Sequence, residues 1–455
     1  MKIKIPKNEN YCATVVRIKN IVPLINCDNV IATIIMENQV ITSKETKIDD
    51  IGLFFPVETQ LSDKFLKANN LYKHAEKNEN QEKKGYFEDN GRVRCVKFRS
   101  HASEGLFIPI SCLTFIYPPN KQGGYGGVWL SDFFKIGEMF DELEGIPICQ
   151  KYIITKNVSG LPGNKKQEKP IESKLIDNQF KFHIDTPKLY AYLDRIHSDD
   201  LVSLSYKVHG VSFIISKILC KKSLKWYEKV LKKLNVNIIT TQYEGVYSSR
   251  NSIRNEGLGK IPSFHSEDIW RIAYEELQDF LSEGMTIYGE AAGFLPGGGA
   301  LQKGFDYGCE PNKHKLFIYR ITYTNPLGKV FEFSAKQVQD FCFKNGLLVV
   351  PQLYYGYAKD FTEHVDLMFA ETTFGSKELI CTLKKEFDTS DFIHRVKELY
   401  TEKDCFMCSE KVPEEGCVIR IENLGLEVYK CKSTRFLEWE TKKLDKGESD
   451  IESEN

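Results

Sequence analysis

The sequence predicts an α+β chain with two unlike parts: a small N-terminal β-barrel of the OB-like kind, then a larger domain in which strands and helices alternate. Three observations carry this. Residues 12–115 hold short runs rich in β-branched and aromatic residues ("CATVVRIKNI", "VIATIIMENQVITS", "GLFFPV"), split by polar turns such as "NCDN". From residue 201, β-rich runs are interleaved with stretches of helical spacing such as "SEDIWRIAYEELQDFLSE" and "KQVQDFCFKNG", the latter ending in a glycine that suits a helix stop. The chain has 455 residues and is 42% apolar, enough for two or three packed domains.

Residues 1–120 are the expected barrel, a fold that closes short strands on themselves. Its segment "GRVRCVKFRSH" carries Arg92, Arg94, Lys97 and Arg99. Two readings stand level there: an edge strand guarded by charge, and a phosphate-contacting strand of a nucleic-acid barrel. Residues 121–175 read as loop followed by a basic linker, "KNVSGLPGNKKQEKPIESK", with Pro and Gly among its lysines. Residues 176–436 form the second domain. In it "TPKLYAYLDRI" has helical spacing, and "SLKWYEKVLKKL" is an amphipathic helix whose lysine-rich side reads as a solvated face. Residues 437–455 are polar and mostly acidic and read as a disordered tail.

Composition sets bounds. The formal net charge of -1 excludes a polybasic coat, so any nucleic-acid surface is local. The first residues, "MKIKIPKNENY", lack the apolar segment of a signal peptide, and no apolar run is long enough to span a bilayer. Thirteen scattered cysteines, an odd number, suit free thiols in a reducing compartment. The expectation is a soluble cytoplasmic protein without a membrane partner. Cys405 and Cys408 have C-x-x-C spacing, but zinc needs four ligands, and Cys417 and Cys431 do not repeat that spacing. Two unligated thiols stiffening a turn is the favoured reading, with zinc as the alternative.

The chemistry concentrates around one lysine. Lys207 interrupts a run that otherwise reads as a buried strand, "LVSLSYKVHGVSFII", and a His209-Gly210 pair that suits a tight turn follows. An amine that attacks must be unprotonated, so burial and neighbouring cations should depress its pKa. Lys430 and Lys432 in "EVYKCKSTRF" are two apart and share one strand face, which suits them to supply that field. "MTIYGEAAGF" places Glu290 at a strand end, and "VPEEGCVIRIE" places Glu415 directly before a glycine; carboxylates there suit a metal and sugar hydroxyls. "KLFIYRITY" offers Phe317 for stacking on a base, with Tyr319 on the same face, and "VYSSRNSIRN" offers the guanidinium of Arg250. Each piece alone is common by chance; the ordered set is not.

That order resembles the nucleotidyltransferase domain of ATP-dependent polynucleotide ligases and mRNA capping enzymes, whose sheets are antiparallel and flanked by helices. More narrowly, it resembles RNA ligases that carry an OB-like domain before the ligase domain, a type known from bacteria and phages. Three stretches support the narrower likeness: "GRVRCVKFRSHASEGLFIPIS", "FHIDT" at 182–186, and "GEAAGFLPGGGALQKGFDYGC". The resemblance implies a covalent lysyl-AMP on Lys207, with ATP and Mg²⁺ or Mn²⁺ as cofactors. It implies that Glu415 holds the metal, Lys430 and Lys432 neutralise the phosphates, Glu290 accepts from the ribose and Phe317 stacks on adenine. His209 and Gly210 shape the nucleotide site, and Arg250, in a loop shaped by Ser249 and Asn251, serves the ribose or later steps. The implied activity joins RNA 3′-OH and 5′-phosphate ends, at a nicked duplex, by a monomeric protein of cellular, viral or phage origin. The chain departs from the pattern in having Tyr206 before Lys207 and "GVS" after His209. Asn455 follows Lys432 too closely for another domain of about 50 residues, which argues against standard DNA ligases and capping enzymes. Two alternatives remain: a DNA or mixed-strand nick ligase, and a non-catalytic RNA-end-binding protein of ligase-like fold.

Overall fold

Strand pairing sorts the chain into a set of small antiparallel sheets and two larger ones. The computed structural model describes residues 2–118, 130–153, 174–183, 185–255, 268–361, 387–423 and 427–447. In the N-terminal part, β1 (Ala13–Arg17) pairs with β4 (Ile51–Pro56), and β4 pairs with β8 (Gly105–Pro109). β2 (Val30–Ile35) and β3 (Asn38–Ser43) form a separate hairpin. The inward alternation of Ala13, Val15, Leu53 and Phe55 builds one core, closed by Phe65 and Leu66 of α1 (Asp63–Ala68). The expected barrel is corrected here: among the described residues these strands pair in separate sheets and do not close.

The expected boundary at 120 also moves. β9 (Met139–Phe140) pairs with β1, and β10 (Cys149–Lys151) pairs with β5 (Thr59–Leu61), so part of the expected linker 121–175 completes the N-terminal unit. The stretch quoted as the basic tether falls mostly at 154–173, outside the described residues.

Beyond residue 185 two sheets face each other. One has the order β17-β11-β18-β19, from β11 (Leu201–Tyr206), β17 (Gln352–Tyr357), β18 (Gly416–Ile421) and β19 (Glu427–Lys432). The other has the order β13-β12-β14-β15-β16. Its strands are β12 (Val211–Lys221), β13 (Thr241–Ser248), β14 (Met285–Gly293), β15 (His314–Thr324) and β16 (Val330–Glu332). Helix α3 (Ile269–Leu277) starts at the Asp268 cap, and α4 (Ala335–Asn345) runs from a Ser334–Gln337 capping box to Gly346 in the left-handed region (φ 66°). Both pack on the second sheet, while α5 (Thr389–Val396) packs on the first. The helix predicted in "TPKLYAYLDRI" is instead a pair of tight 3-10 turns, Leu189–Arg195, kinked at Tyr192.

Residues 437–445 are not a disordered tail. They continue α6 (Thr434–Asp445), capped by Ser433, whose Phe436 is fully buried. A surface face of Lys and Glu hid this helix, because its buried positions are few. No helix among the described residues is long and apolar enough to cross a membrane.

Candidate active site

Lys207 is the first residue past β11, where the two large sheets diverge. Its backbone N–H donates to Gly416 O at 2.8 Å, so the start of β18 is fixed beside it. That start demands glycine: Gly416 has φ 142°, and a Cβ there would lie 2.0 Å from Cys431 O. The consequence is that Glu415 turns inward and places Oε1 2.8 Å from Lys207 Nζ. Gly210 serves closeness rather than the expected tight turn: a Cβ there would meet Ala291 O at 2.5 Å, so β12 can press against β14 and bring Glu290 toward the amine.

The remaining cations arrive with acids. Lys432 Nζ lies 2.9 Å from Glu440 of α6 and 3.9 Å from Glu415. Lys430 Nζ lies 2.7 Å from Asp185, whose same oxygen also takes Arg250 Nη2 at 2.9 Å. His209 is buried edge-on against Phe305, Phe436 and Trp439; its N–H donates to Tyr307 Oη at 2.6 Å. Its Nδ1 is 3.6 Å from Glu415 Oε2, too long for a hydrogen bond, so that buried carboxylate oxygen accepts none.

This company reverses one expectation. Burial lowers the Lys207 pKa, but Glu415 and Glu290 outweigh burial and Lys432 together, and the net shift is upward. Counting only the lysines of "YKCK" missed the carboxylates that the fold brings closer. The depressed amines are elsewhere: burial, aided by Lys432 and Lys207, takes Lys430 down to about 8, and burial takes Lys188 down to about 7. Burial alone would raise Glu415, but Lys207, His209 and Lys432 hold it far below the usual carboxylate range. Its neighbour Glu414 is pushed up to about 9 by burial and Cys405, which outweigh the one nearby cation, Lys403.

Two cavities meet at Lys207. One, of about 470 Å³, is bounded by Glu415, Lys430, Lys432, Arg250 and Glu290, and on its far side by Asn8, Tyr11 and Glu58 of the N-terminal unit. The other, of about 670 Å³, runs between the two sheets past Tyr319, His183, Val350 and Val418. The first is charged and suits phosphates; the second has the apolar walls and convergent polar groups of a nucleoside site.

The structure gathers Lys207, His209, Gly210, Arg250, Glu290, Glu415, Lys430 and Lys432 around the first cavity. It does not place Phe317 there. The β14–β15 register skips Tyr319, and this bulge splits the shared face: Phe317, 6% exposed, turns into the core against Tyr307, while Tyr319 lines the second cavity. Arg92 is also corrected as a phosphate contact. Its side chain is fully buried, held by Glu58 at 2.9 Å and Asp445 of α6 at 3.2 Å. Arg94 reaches Asp445 at 3.4 Å, Lys97 lies 3.6 Å from Glu438, and Arg99 stays exposed at the turn of a short hairpin, Val96–Phe98 with His101–Ser103. The residues that sequence reasoning missed are Asp185, Lys188, Glu58 and Glu440. Asp185 stood inside the quoted "FHIDT" without a role, and Glu440 lay in the supposed tail.

The Glu415 carboxylate, which lines the charged cavity and keeps one buried oxygen without a hydrogen-bond donor, fits one divalent cation, completed by ligand oxygens, since Mg²⁺ takes one or two carboxylates plus phosphates. No group of three or more His, Cys, Asp or Glu side chains with metal-holding geometry occurs among the described residues. Cys405 and Cys408 are free thiols joined through the backbone, the Cys408 N–H donating to Cys405 O at 3.4 Å.

No protein-family model and no curated protein matches the chain. Solved structures with a similar fold include an RNA ligase from Naegleria gruberi. A variant of it with AMP and Mn has a TM-score of 0.53 at 13% identity, over 94% of this chain and 98% of that one. An apo variant gives 0.52 at 14% identity, over 96% and 100%. The same ligase with PPi gives 0.50 at 13% identity, over 94% and 98%. The shared fold spans both parts of the chain, and these likenesses lend no support to the expected bacterial or phage type.

Proposed function

We propose that this chain is an ATP-dependent RNA ligase that works through a lysyl-AMP intermediate. The observation that carries the reading is the position of Lys207: its amine stands where a charged cavity and a nucleoside-sized cavity meet, 2.8 Å from a carboxylate with one oxygen lacking a hydrogen-bond donor. Supporting it are the ordered motifs and a fold shared with an RNA ligase that, in solved structures, holds AMP, ATP, Mn and PPi.

In the first step the Lys207 Nζ lone pair attacks the α-phosphorus of ATP. A P–N bond forms, the bond to the β-phosphate oxygen breaks, and pyrophosphate leaves with that electron pair. Lys430 and Lys432 take the charge that spreads over the phosphate oxygens. Adenine stacks on Tyr319, and Glu290 or Arg250 fixes the ribose. A divalent cation on Glu415 would supply positive charge beside Lys207 and weaken its ion pair, favouring the neutral amine. In the second step an RNA 5′-phosphate oxygen takes AMP from Lys207; in the third, a 3′-OH displaces AMP and closes the strand. The substrate is a nicked RNA duplex held across the N-terminal unit, and the protein acts as a monomer in the cytoplasm.

The test is incubation with α-labelled ATP and Mg²⁺, denaturing separation, and a chase with nicked RNA. Label on the wild type, absent in Lys207→Ala and discharged into sealed RNA, is the expected result. Folded protein that takes no label, and is not already adenylylated, would leave the end-binding alternative. Label from GTP would redirect the reading to capping chemistry, and equal sealing of DNA to a mixed-strand ligase.

A further inference from the structure

Helix α2 (Trp226–Lys233) closes the hairpin of β12 and β13 at the end away from Gly210. Eleven strand residues at about 3.3 Å each put it roughly 35 Å from the active site. Its sequence reading as an ordinary amphipathic helix implies that the apolar side packs on the protein. It does not: the helix buries no residue. Trp226, Tyr227, Val230, Leu231 and Leu234 fall on one contiguous face, and Trp226 is 78% and Leu234 68% exposed. The segment that follows leaves Val236 and Ile239 exposed as well.

The other face is basic. Residues 221–239 hold six lysines and one glutamate. That glutamate, Glu228, is used locally: it accepts from the Lys225 N–H at 2.7 Å and pairs with Lys222 at 2.7 Å. Lys229, Lys232 and Lys233 have no carboxylate within ion-pair distance among the described residues.

We propose that α2 and its trailing apolar residues are an interfacial anchor that docks this chain on an anionic lipid surface. The segregation carries it: an uncovered apolar stripe begun by Trp and Tyr, with lysines on the opposite side, is the pattern of helices that lie in a headgroup layer. Lysine stems reach outward along such a helix while their ammonium groups meet lipid phosphates. A second copy would cover the apolar face but leave the lysines on the opposite side without an anionic partner. RNA would satisfy the lysines but offers nothing to Val230, Leu231 and Leu234. The inference is independent of the ligase reading, since α2 touches neither cavity.

The full chain is mixed with vesicles of phosphatidylcholine, alone or with about 30% phosphatidylserine, and followed by co-sedimentation and tryptophan emission. The expected result is retention on the anionic vesicles only, with a blue shift that Trp226→Phe removes. Retention should fall at least about tenfold in Leu231→Glu/Leu234→Glu and in Lys229→Glu/Lys232→Glu/Lys233→Glu. Both variants alter exposed positions, so their melting and lysyl-AMP labelling should match the wild type. No retention, or equal retention on neutral vesicles, would overturn the proposal. So would binding to duplex RNA that the lysine variant loses and the leucine variant keeps, which would make α2 an RNA grip.

Discussion

The chain holds two buried clusters in which a basic side chain meets carboxylates, and they are built to opposite ends. Around Arg92, Glu58 and Asp445 grip a guanidinium with no exposed surface, tying the N-terminal unit to α6. Around Lys207, Glu415 makes an equally short contact, but one oxygen has no hydrogen-bond donor and a cavity lies beside the pair. The first is a strut: its guanidinium has no exposed surface and is held from two sides, although Glu58 also borders the charged cavity and Asp445 is partly exposed. The second can exchange partners, because a ligand can supply what either member gives up. Burial and pairing alone do not mark a site; room beside an incompletely satisfied pair does.

The sharpest way to break this comparison is Glu415→Gln. It removes the carboxylate while keeping shape, so lysyl-AMP formation should fall about 10³-fold or more. Lys207 also loses the contact that contributes most to raising its pKa, so the residual labelling should begin to rise at lower pH than in the wild type. Single-turnover labelling from pH 6 to 10 measures both; a residual rate with unchanged pH dependence would mean that Glu415 does not govern the amine. Arg92→Ala tests the other cluster. Removing the guanidinium leaves the buried Glu58 carboxylate unpaired, a loss of about 3 kcal/mol. The melting temperature should therefore drop by several degrees, while protein kept well below it still forms lysyl-AMP.

How much of this was legible follows from where each partner sits in the chain. K-x-H-G, E-E-G and K-x-K are local strings, and strand alternation fixes their faces, so Lys207, Glu415, Lys430 and Lys432 could be gathered on paper. Asp185 pairs with Lys430 across 245 positions, and Glu440 reaches Lys432 only because α6 folds back. No spacing announces either contact. The direction of the Lys207 shift was misread although both carboxylates behind it, Glu415 and Glu290, stood in the quoted strings: what no string shows is how close the fold brings them, 2.8 Å for Glu415. Phe317 failed on a single extra residue: a bulge at Tyr319 undoes the period of two that the prediction used. The barrel failed because short β-rich runs specify strands but not whether their sheet closes.

A finer comparison lies within the site. Lys430 is pushed down to about 8, whereas Lys432, despite burial, is held above its ordinary value by Glu440 and Glu415. Lys430 should therefore lose its charge first as pH rises, and with it the hold on phosphate. Labelling should rise with pH as Lys207 is released, then level off above about 8, where each further gain in neutral Lys207 is offset by lost Lys430 charge. In Lys430→Arg the side chain stays charged, and the rise should continue past about 8. A plateau that persists unchanged would assign it to another group.

The smallest effect separates the four basic residues once grouped as an RNA-contacting strand. Arg92 is spent on Glu58 and Asp445, whereas Arg99 is exposed at a hairpin turn with both Arg99 and Ser100 at positive φ. If this edge meets RNA, the contact is made by Arg99 and not by Arg92. Each lysine or arginine that neutralises a phosphate adds about one counterion to the salt dependence of binding. Arg99→Ala should therefore lower the slope of log affinity against log salt by about 1, and Arg92→Ala, measured on folded protein, should leave it unchanged. Titration of a labelled nicked duplex at several salt concentrations reads the two slopes. A lower slope in Arg92→Ala alone would return the buried guanidinium to the RNA surface and remove the distinction between strut and site.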